Sequence, residues 1–476
     1  MNAPDAISNR TWDELAVGDE AAIEHGVTAR DLYLFAHASG NLNPLHMPET
    51  DIDGDGVIDT VAPSMWLGAL VSGVLGNVLP GAGTLYRSQM LDFVGHAHIG
   101  DTLRISVRLA EKLDRPRAAF DARVCQRDGT LVAFGRAEVD APLHRVLTSA
   151  HELPALLLDQ HDHFARLIAI AAAQPAMPTA VVCPDDANSL GGALLAMRQG
   201  LIVPLLIGAR DRIEQAARDL GADLAGIEII DIADHSHAAA RAVELVHEQR
   251  VRAIMKGNVH SDELLGQVVK KDGGLRAGRR ISHVFVLDVA SLGHPLFISD
   301  AAINVAPDLA TKADITQNAI DLARACGLVL PRVAVLSAVE TVNFGIPSSM
   351  DAAILAKMAD RGQITGGIVD GPLAMDNAID AGAARTKKLV SPVAGAAQVL
   401  VVPNLEAGNM LAKQLTFVSH ARSAGLVVGA RVPVMLTSRA DDDQARLASC
   451  ALAQLYDHFR REGRPAPGLE AVEVAQ

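Results

Sequence analysis

Polar and charged residues follow most of the apolar, strand-like segments in the C-terminal two-thirds of the sequence. In open parallel sheets, ligands bind at the carboxyl ends of the strands, so these positions are the first to inspect. Amides, hydroxyls, glycine and a few cations suit a ligand that carries phosphate groups. We therefore predict a phosphate-binding set that consists of Lys256, Asn258, Asp300, Asn304, Ser337, Asp370, Asn404, Ser438 and Arg439.

A basic cluster follows in the same part of the chain. It contains Arg276, Arg279 and Arg280, and we take Arg276 as the member that contacts a phosphate group; the alternative is a solvated cationic face. The whole chain carries a net charge of −14, which argues against a protein that holds nucleic acid or anionic lipid through a general positive field. A local basic pocket for one phosphorylated ligand is compatible with that charge.

Histidine chemistry is indicated in the N-terminal third. The segment FAHASGNLNPLH contains Asn41 and ends at His46, and an imidazole can move protons near neutral pH. The alternative is that Asn41, Asn43 and His46 are loop residues with turn and capping roles. The sequence by itself leaves both interpretations open.

The sequence does not favour metal chemistry. Residues 51–59 have the spacing of a calcium loop, but Ala62 occupies the twelfth position, where a bidentate Glu is needed. We therefore predict a solvated acidic loop. The three His-x-His pairs have no third ligand at a recognisable spacing, and the 4 cysteines form no CxxC pair. Neither a metal site nor a disulfide scaffold is predicted.

Two regions with different hydrophobic patterns must position these residues. From Val181 onward, short apolar runs alternate with helical stretches, which predicts βα units and sheets covered on both faces. Before residue 145, the apolar segment Ser64–Leu79 is followed by strands of alternating pattern, with a hairpin turn at Asp128-Gly129. Residues 142–154 have no clear core period, and we place the domain junction there.

Length and composition are those of a large globular protein. The 476 residues correspond to about three folding units, and 49% of them are apolar while 21% are charged, which excludes a disordered chain. The N-terminal residues have no basic region followed by an apolar one, so we expect a cytoplasmic protein without a membrane span.

The segment from Phe35 to His46 resembles the signature of the MaoC-like, (R)-specific enoyl-CoA hydratases, and the resemblance covers about the first 145 residues. It implies a hotdog fold, in which an antiparallel sheet wraps a long helix. In that family, an Asp at the place of Asn41 and a His at the place of His46 activate the water that adds to an enoyl thioester. Because an amide cannot accept a proton as a carboxylate can, hydratase activity is an open expectation here.

The rest of the chain, from about Leu156 to Tyr456, resembles the phosphate acetyl/butyryltransferase family. The resemblance lies in several long motifs in the same order: IMKGNVHSDELLG, RRISHVFVLDV, ISDAAINVAPDL, GGIVDGPLAMDNA, VVPNLEAGNMLAKQL and LTSRAD. It implies transfer of a short acyl group between coenzyme A and inorganic phosphate. It also implies an α/β fold of two αβα domains with parallel sheets that flank a central cleft.

The same resemblance assigns catalytic roles. Ser438 would supply a hydroxyl and Arg439 bidentate donors to the phosphoryl oxygens. The family's base is an Asp a few residues further on, where an ungapped comparison gives Ala445; a shift of two residues gives Asp443, which we take as the candidate. The alternative for Asp443 is an acid favoured at a helix N-terminus.

We expect a hotdog domain at 1–145, a linker at 146–155 and a transferase at 156–476. Within the transferase, residues 156–296 and 439–476 would form one subdomain and residues 297–438 the other. We expect CoA and phosphate to be substrates and no cofactor to be bound. We also expect the chain to form homo-oligomers. Two alternatives are a metal-dependent dehydrogenase of related fold, which would need a carboxylate cluster that the sequence does not show, and an acyl-CoA-binding scaffold with decayed sites.

Overall fold

The computed structural model describes residues 6–48, 60–149, 162–436 and 443–469. Two compact units divide the chain, Met1–Leu158 and Asp159–Gln476. Ser438, Arg439 and the acidic loop at 51–59 lie outside the described residues. Within the described ranges, none of the helices combines the length and the apolarity that a membrane crossing requires.

The first unit contains two helices and seven strands in its described part. Its helices are α1 (Ala29–Ser39) and α2 (Ser64–Asn77), and its strands are β1 (Ala6–Ser8), β2 (Glu20–Gly26), β3 (Leu85–Phe93), β4 (Thr102–Lys112), β5 (Arg117–Gln126), β6 (Leu131–Asp140) and β7 (Leu147–Ser149). Five of these strands form an antiparallel sheet in the order β2-β4-β5-β6-β3, and β1 pairs with β7. The predicted Asp128-Gly129 turn connects β5 to β6, with Gly129 at a positive φ of 91°.

This sheet buries one face against α2. In β4 the alternate residues Leu103, Ile105 and Val107 are fully buried, because successive side chains of a strand point to opposite faces. Helix α2 contacts β2 and β4 at one edge of the sheet and β3 at the other edge, so the sheet curves around the helix. The predicted hotdog fold is thereby confirmed.

The second unit alternates strands and helices. Its helices are α3 (His163–Ala172), α4 (Ala187–Arg198), α5 (Arg210–Leu220), α6 (His235–His247), α7 (Ser261–Val268), α8 (Leu309–Ala325), α9 (Pro347–Asp360), α10 (Met375–Ile379), α11 (Ala381–Thr386), α12 (Leu405–Lys413) and α13 (Asp443–Glu462). Its strands are β8 (Met177–Val182), β9 (Ile202–Gly208), β10 (Ile229–Asp231), β11 (Ala253–Lys256), β12 (Ser282–Asp288), β13 (Leu296–Ser299), β14 (Arg332–Leu336), β15 (Ile368–Leu373), β16 (Val399–Val401), β17 (Arg422–Val428) and β18 (Val434–Met435).

All eleven of these described strands join one mixed sheet, in the order β10-β9-β8-β11-β18-β17-β12-β13-β16-β14-β15. The pairs on either side of the centre are parallel, whereas β18-β17, β17-β12 and β12-β13 are antiparallel. The predicted α/β architecture is confirmed, but the expected separate sheets are continuous. The antiparallel ladder between β12 and β17 connects their two halves.

Helices cover both faces of the sheet. Val181 of β8 packs in the core formed with α3, α4, α5, α8 and α13, while the next residue, Val182, packs against α6 and α7 on the other face. Both side chains are fully buried. This two-sided burial explains why the strands appear in the sequence as nearly continuous apolar runs rather than as alternating ones.

Candidate functional site

The order in which successive strands are added to the sheet reverses at β8, which is parallel to both β9 and β11. The chain runs from β8 through α4 to β9 on one side, whereas β11 lies on the other side of β8. Ligands of such sheets bind in the crevice at this reversal, beyond the carboxyl ends of the strands. The turn that follows β11, Lys256-Gly257-Asn258, lies at this crevice and contains two of the predicted residues.

The backbone of β8 holds this turn closely. The Gly257 amide donates to the Val182 carbonyl at 2.8 Å, and the Asn258 amide donates to the Cys183 carbonyl at 2.7 Å. A Cβ atom on Gly257 would lie 2.5 Å from the Cys183 carbonyl oxygen, so only glycine fits. Cys183 itself has a positive φ of 54°, and burial raises the pKa of its thiol to about 12, so that it is no nucleophile near neutral pH.

A cleft of about 650 Å³ contains two further candidates, Arg276 and Asn304. Apolar side chains and the basic cluster line it together, among them Leu265, Ile281, Ile303, Arg279 and Arg280. The arginines are engaged differently. Arg279 donates to Asp321 at 2.6 Å, whereas Arg276 uses its Nε to donate to the Val269 carbonyl at 2.5 Å. That bond orients Arg276 and leaves its terminal nitrogens for an anion.

Asp300 acts on this cleft indirectly. Its side chain is buried, and its Oδ1 accepts hydrogen bonds from the backbone amides of His283, Ala302 and Ile303 at 3.0 to 3.2 Å. Its Oδ2 accepts from the amide of Asn304 at 3.0 Å and from that residue's side chain at 2.5 Å. A carboxylate with five donors is saturated. Asp300 therefore shapes the loop that presents Asn304.

A buried histidine lies beneath the same loop. Burial lowers the pKa of His283 to about 4, against a smaller opposing effect of Asp300. The His283 ring contacts the ring of Phe285 edge-on. It also occupies the space beside Gly425, where a Cβ would lie 2.5 Å from its Nε2. The imidazole is therefore neutral near pH 7.

Three predicted residues have local structural roles. Asn404 caps α12 by accepting from the Ala407 amide at 2.9 Å. The Ser337 hydroxyl lies 3.0 Å from the hydroxyl of Ser348. Asp370 lies within β15 rather than beyond it, and accepts from the next amide, that of Gly371. The contacts found in the described part of the chain join none of the three to Lys256, Arg276 or Asn304.

Asp443 is the first residue of α13 and is largely exposed. Its carboxylate lies 3.6 Å from a terminal nitrogen of Arg446, whose side chain is only 8% exposed. Arg446 packs against Gly192 of α4, where a Cβ would lie 2.7 Å from its Cδ. Arg446 was not predicted, because in the sequence it is one of several arginines on an amphipathic helix.

The first unit arranges Asn41 and His46 in one loop. The Asn41 side chain accepts from the Asn43 amide, and the Asn43 side chain accepts from the Leu45 amide, each at 3.2 Å. These are the turn contacts of the structural alternative. His46 differs, because its Nδ1 lies 2.7 Å from the Val61 carbonyl oxygen. A carbonyl only accepts, so Nδ1 carries the proton and Nε2 of the neutral ring is left as a base.

The same contacts place His46 beside the start of α2. Val61 donates through its amide to the Leu45 carbonyl at 3.1 Å. It precedes Ser64, the first residue of α2, by three positions. The first amides of a helix have no partner within the helix and can stabilise a developing negative charge. The carbonyl that holds the His46 ring is thus three positions before the first residue of α2.

Metal ligation finds no support in the described ranges, where no group of three or more His, Cys, Asp and Glu side chains is arranged to hold an ion. Of the histidines in His-x-His pairs, His98 has its Nδ1 3.2 Å from the Thr60 carbonyl oxygen. His235 lies 4.0 Å from Asp185 and 4.0 Å from Glu263.

Comparison with known proteins finds relatives of the second unit. The family model described as "Phosphate acetyl/butaryl transferase" matches residues 235–454. A "Phosphate acetyltransferase" of Rhizobium meliloti is 57% identical over 308 residues, which are 64% of this chain and 97% of that protein. A solved branched-chain phosphotransacylase from Enterococcus faecalis V583 is 28% identical, with a TM-score of 0.51, over 59% of this chain and 99% of its own.

A further solved structure is similar to another part of the chain. The unliganded R-hydratase PhaJ1 from Pseudomonas aeruginosa is 34% identical over 32% of this chain and 99% of its own, with a TM-score of 0.31. The assignment of the transferase rests on the first relative, because this chain spans nearly its whole length at more than half identity. The chain therefore belongs to the phosphate acetyl/butyryltransferase family, with a hotdog unit preceding its transferase region.

Proposed function

We propose that the second unit transfers a short acyl group between coenzyme A and inorganic phosphate. A phosphate oxygen attacks the thioester carbonyl, the C–S bond breaks, and the departing CoA thiolate takes up a proton; in reverse, the thiolate attacks the acyl phosphate. The observation that carries the proposal is 57% identity to a phosphate acetyltransferase over 97% of that protein. The cationic cleft at Arg276 supports it, because both substrates are polyanions.

Roles follow from the positions of the described residues. Arg276 and Asn304 line the cleft, and Arg276 can donate to phosphate oxygens. Both side-chain N–H groups of Asn304 already donate, one to the Ile281 carbonyl and one to Asp300. Lys256 is the last residue of β11 and Asn258 follows it. Strand β11 is the parallel neighbour of β18, and Met255 pairs there with Met435. The described part of the chain therefore reaches residue 436 beside the Lys256 turn, and the Ser438-Arg439 motif follows outside the described residues. That motif remains our proposed site for the phosphoryl group, and Asp443 our proposed base.

A second activity is proposed for the first unit, hydration of a short enoyl-CoA. The observation that favours it is the free Nε2 of His46 beside the N-terminus of α2. Asn41 takes no part in proton transfer, since its side-chain oxygen accepts from the Asn43 amide, and it can only orient a water molecule. Both units would then handle acyl-CoA, and a fusion raises the local concentration of a shared intermediate.

The test uses the full-length protein. We would measure phosphate-dependent release of free thiol from acetyl-, propionyl- and butyryl-CoA, with Ser438→Ala and Arg439→Ala as controls, and follow hydration of crotonyl-CoA in parallel. Thiol release that both variants abolish is the expected result, and the best substrate gives the chain-length preference. Calorimetric binding of acyl-CoA without any turnover would instead support the scaffold alternative. A homo-oligomeric, cytoplasmic enzyme without bound cofactor remains our expectation.

A further inference from the structure

We propose that Asp185 is a positioning residue, which holds the Lys256-Gly257-Asn258 turn in the orientation that binds phosphate. The inference rests on the proposed transferase function and adds a residue to it. Asp185 follows β8, on the opposite side of the crevice from this turn. It belongs to a different part of the chain from the residues that it orients.

One contact carries the inference. The Asn258 side chain donates through its Nδ2 to the Asp185 Oδ1 at 3.0 Å, across 73 positions of sequence. The backbone bonds from Gly257 and Asn258 to β8 fix the path of the turn, but they do not fix the rotation of the Asn258 amide. The Asp185 carboxylate accepts from that amide's nitrogen and so determines which way its oxygen points.

Burial makes this contact a strong one. The Asp185 side chain is only 4% exposed, and its Oδ2 lies 3.6 Å from Arg212 and 4.0 Å from His235. Both of these partners are much more exposed, at 66% and 34%. A buried carboxylate costs free energy that partial pairing with surface groups offsets only in part. A hydrogen bond to a buried charge is also stronger than one between neutral groups.

The next residue provides a natural contrast. Asp186 is the N-cap of α4, and its Oδ1 accepts from the amides of Asn188 and Ser189, each at 2.9 Å. The two neighbouring acids therefore differ in function. Asp186 stabilises its own helix, whereas Asp185 reaches across the crevice to another strand. Replacing each in turn separates loss of stability from loss of positioning.

The experiment compares three variants of the full-length protein in phosphorolysis of acetyl-CoA, with urea unfolding measured alongside. For Asp185→Ala we expect kcat/KM to fall about 10- to 100-fold, mainly through a higher KM for phosphate with the KM for acetyl-CoA unchanged. Asp185→Asn, which keeps the acceptor oxygen, should stay within about threefold of the wild type. Asp186→Ala should lower the unfolding midpoint but leave both KM values unchanged.

Several results would overturn the proposal. Equal kinetic losses in Asp185→Ala and Asp186→Ala would reduce Asp185 to a structural role, and an Asp185→Asn variant as impaired as Asp185→Ala would exclude the hydrogen bond as the cause. If Asp185→Ala does not fold, Asp185→Leu keeps the branching at Cγ and the number of heavy atoms, removes the acceptor, and carries the same expectation. A wild type without phosphorolysis contradicts the proposed function itself, whereas an active wild type with unaffected variants contradicts only the role of Asp185.

Discussion

The two units place their candidate residues in contrasting ways. In the first, Asn41 and His46 share one loop, and the sheet behind it buries only one face of strands such as β4. In the second, the candidates come from distant strand ends, and the strands are covered on both faces. A loop residue of the first unit can be replaced without disturbing the sheet. In the second unit, the turn after β11 is bonded to the backbone of β8, so chemistry and packing change together.

The largest effect is expected from His46→Ala. This variant tests whether a loop residue of the first unit can be replaced without disturbing the sheet. Removing a general base costs about 10²- to 10⁴-fold in rate, so hydration of crotonyl-CoA should fall by that amount while phosphorolysis and stability are unchanged. His98→Ala is the matched control, because His98 also contacts a backbone carbonyl, that of Thr60. Hydration that survives in His46→Ala would mean that another group is the base.

Gly257→Ala tests whether chemistry and packing are coupled in the second unit. The added Cβ would lie 2.5 Å from the Cys183 carbonyl oxygen, so the turn must shift, and a displacement near 1 Å can cost about 100-fold in rate. We also expect a loss of about 1–3 kcal/mol in the free energy of unfolding. Gly191→Ala on α4 is the control, since its Cβ would meet only ordinary contacts at 3.7 Å. Normal phosphorolysis by Gly257→Ala would contradict the coupling.

Arg276→Ala should separate binding from structure within the basic cluster. Its loss removes a charged donor from the cleft, and we expect kcat/KM for phosphorolysis to fall about tenfold, with little change in stability. Arg279→Ala should do the reverse, because Arg279 is paired with Asp321 at 2.6 Å. Steady-state kinetics and urea unfolding of both variants provide the measurements. A kinetic loss in Arg279→Ala together with a stability loss in Arg276→Ala would mean that the binding and structural roles of the two arginines are the reverse of those proposed.

The smallest effect concerns pH. The pKa of His283 is about 4 in the folded chain, below the ordinary value of 6.5 that the unfolded chain has, so the unfolded chain binds the proton more readily between these limits. Stability is then full above pH 6.5 and falls as the pH drops toward 4, by roughly 1–3 kcal/mol. His283→Leu should flatten this dependence in urea unfolding of the second unit. Phe285→Leu, which removes a neighbouring ring without a titrating group, should lower stability equally at every pH.

The sequence predicted more of the fold than of the site. Hydrophobic periodicity separated the two units, because a strand buried on both faces and a strand buried on one face leave different patterns. Asp128-Gly129 indicated its hairpin, since the turn needs a positive φ that glycine adopts freely. The continuity of the large sheet was not predicted. It depends on antiparallel pairing between β12 and β17, which are more than a hundred residues apart.

Site residues were harder to assign, because residue type does not report what a side chain touches. Asp300 and Asn404 are of residue types that often bind ligands. The Asp300 carboxylate, however, is saturated by amides of its own loop, and Asn404 caps a helix. Arg446, which no motif indicated, is buried beside Asp443. A carboxylate or amide serves a backbone as readily as it serves a ligand. Only its neighbours in space distinguish the two.

By itself, the sequence determined the family, the order of the two units and the residue types available for acyl transfer and hydration, because motifs and periodicity are local properties of the chain. Only the tertiary structure decided which of those residues meet. It brought Asp185 to Asn258 and Arg276 to Asn304, and it bonded Nδ1 of His46 to Val61, which leaves Nε2 as our proposed base. The contact between Asp185 and Asn258 spans 73 positions of sequence and forms only when β8 and β11 have paired. The contact of His46 spans 15 positions, and residue type alone does not predict it, because an imidazole can bond to any nearby carbonyl.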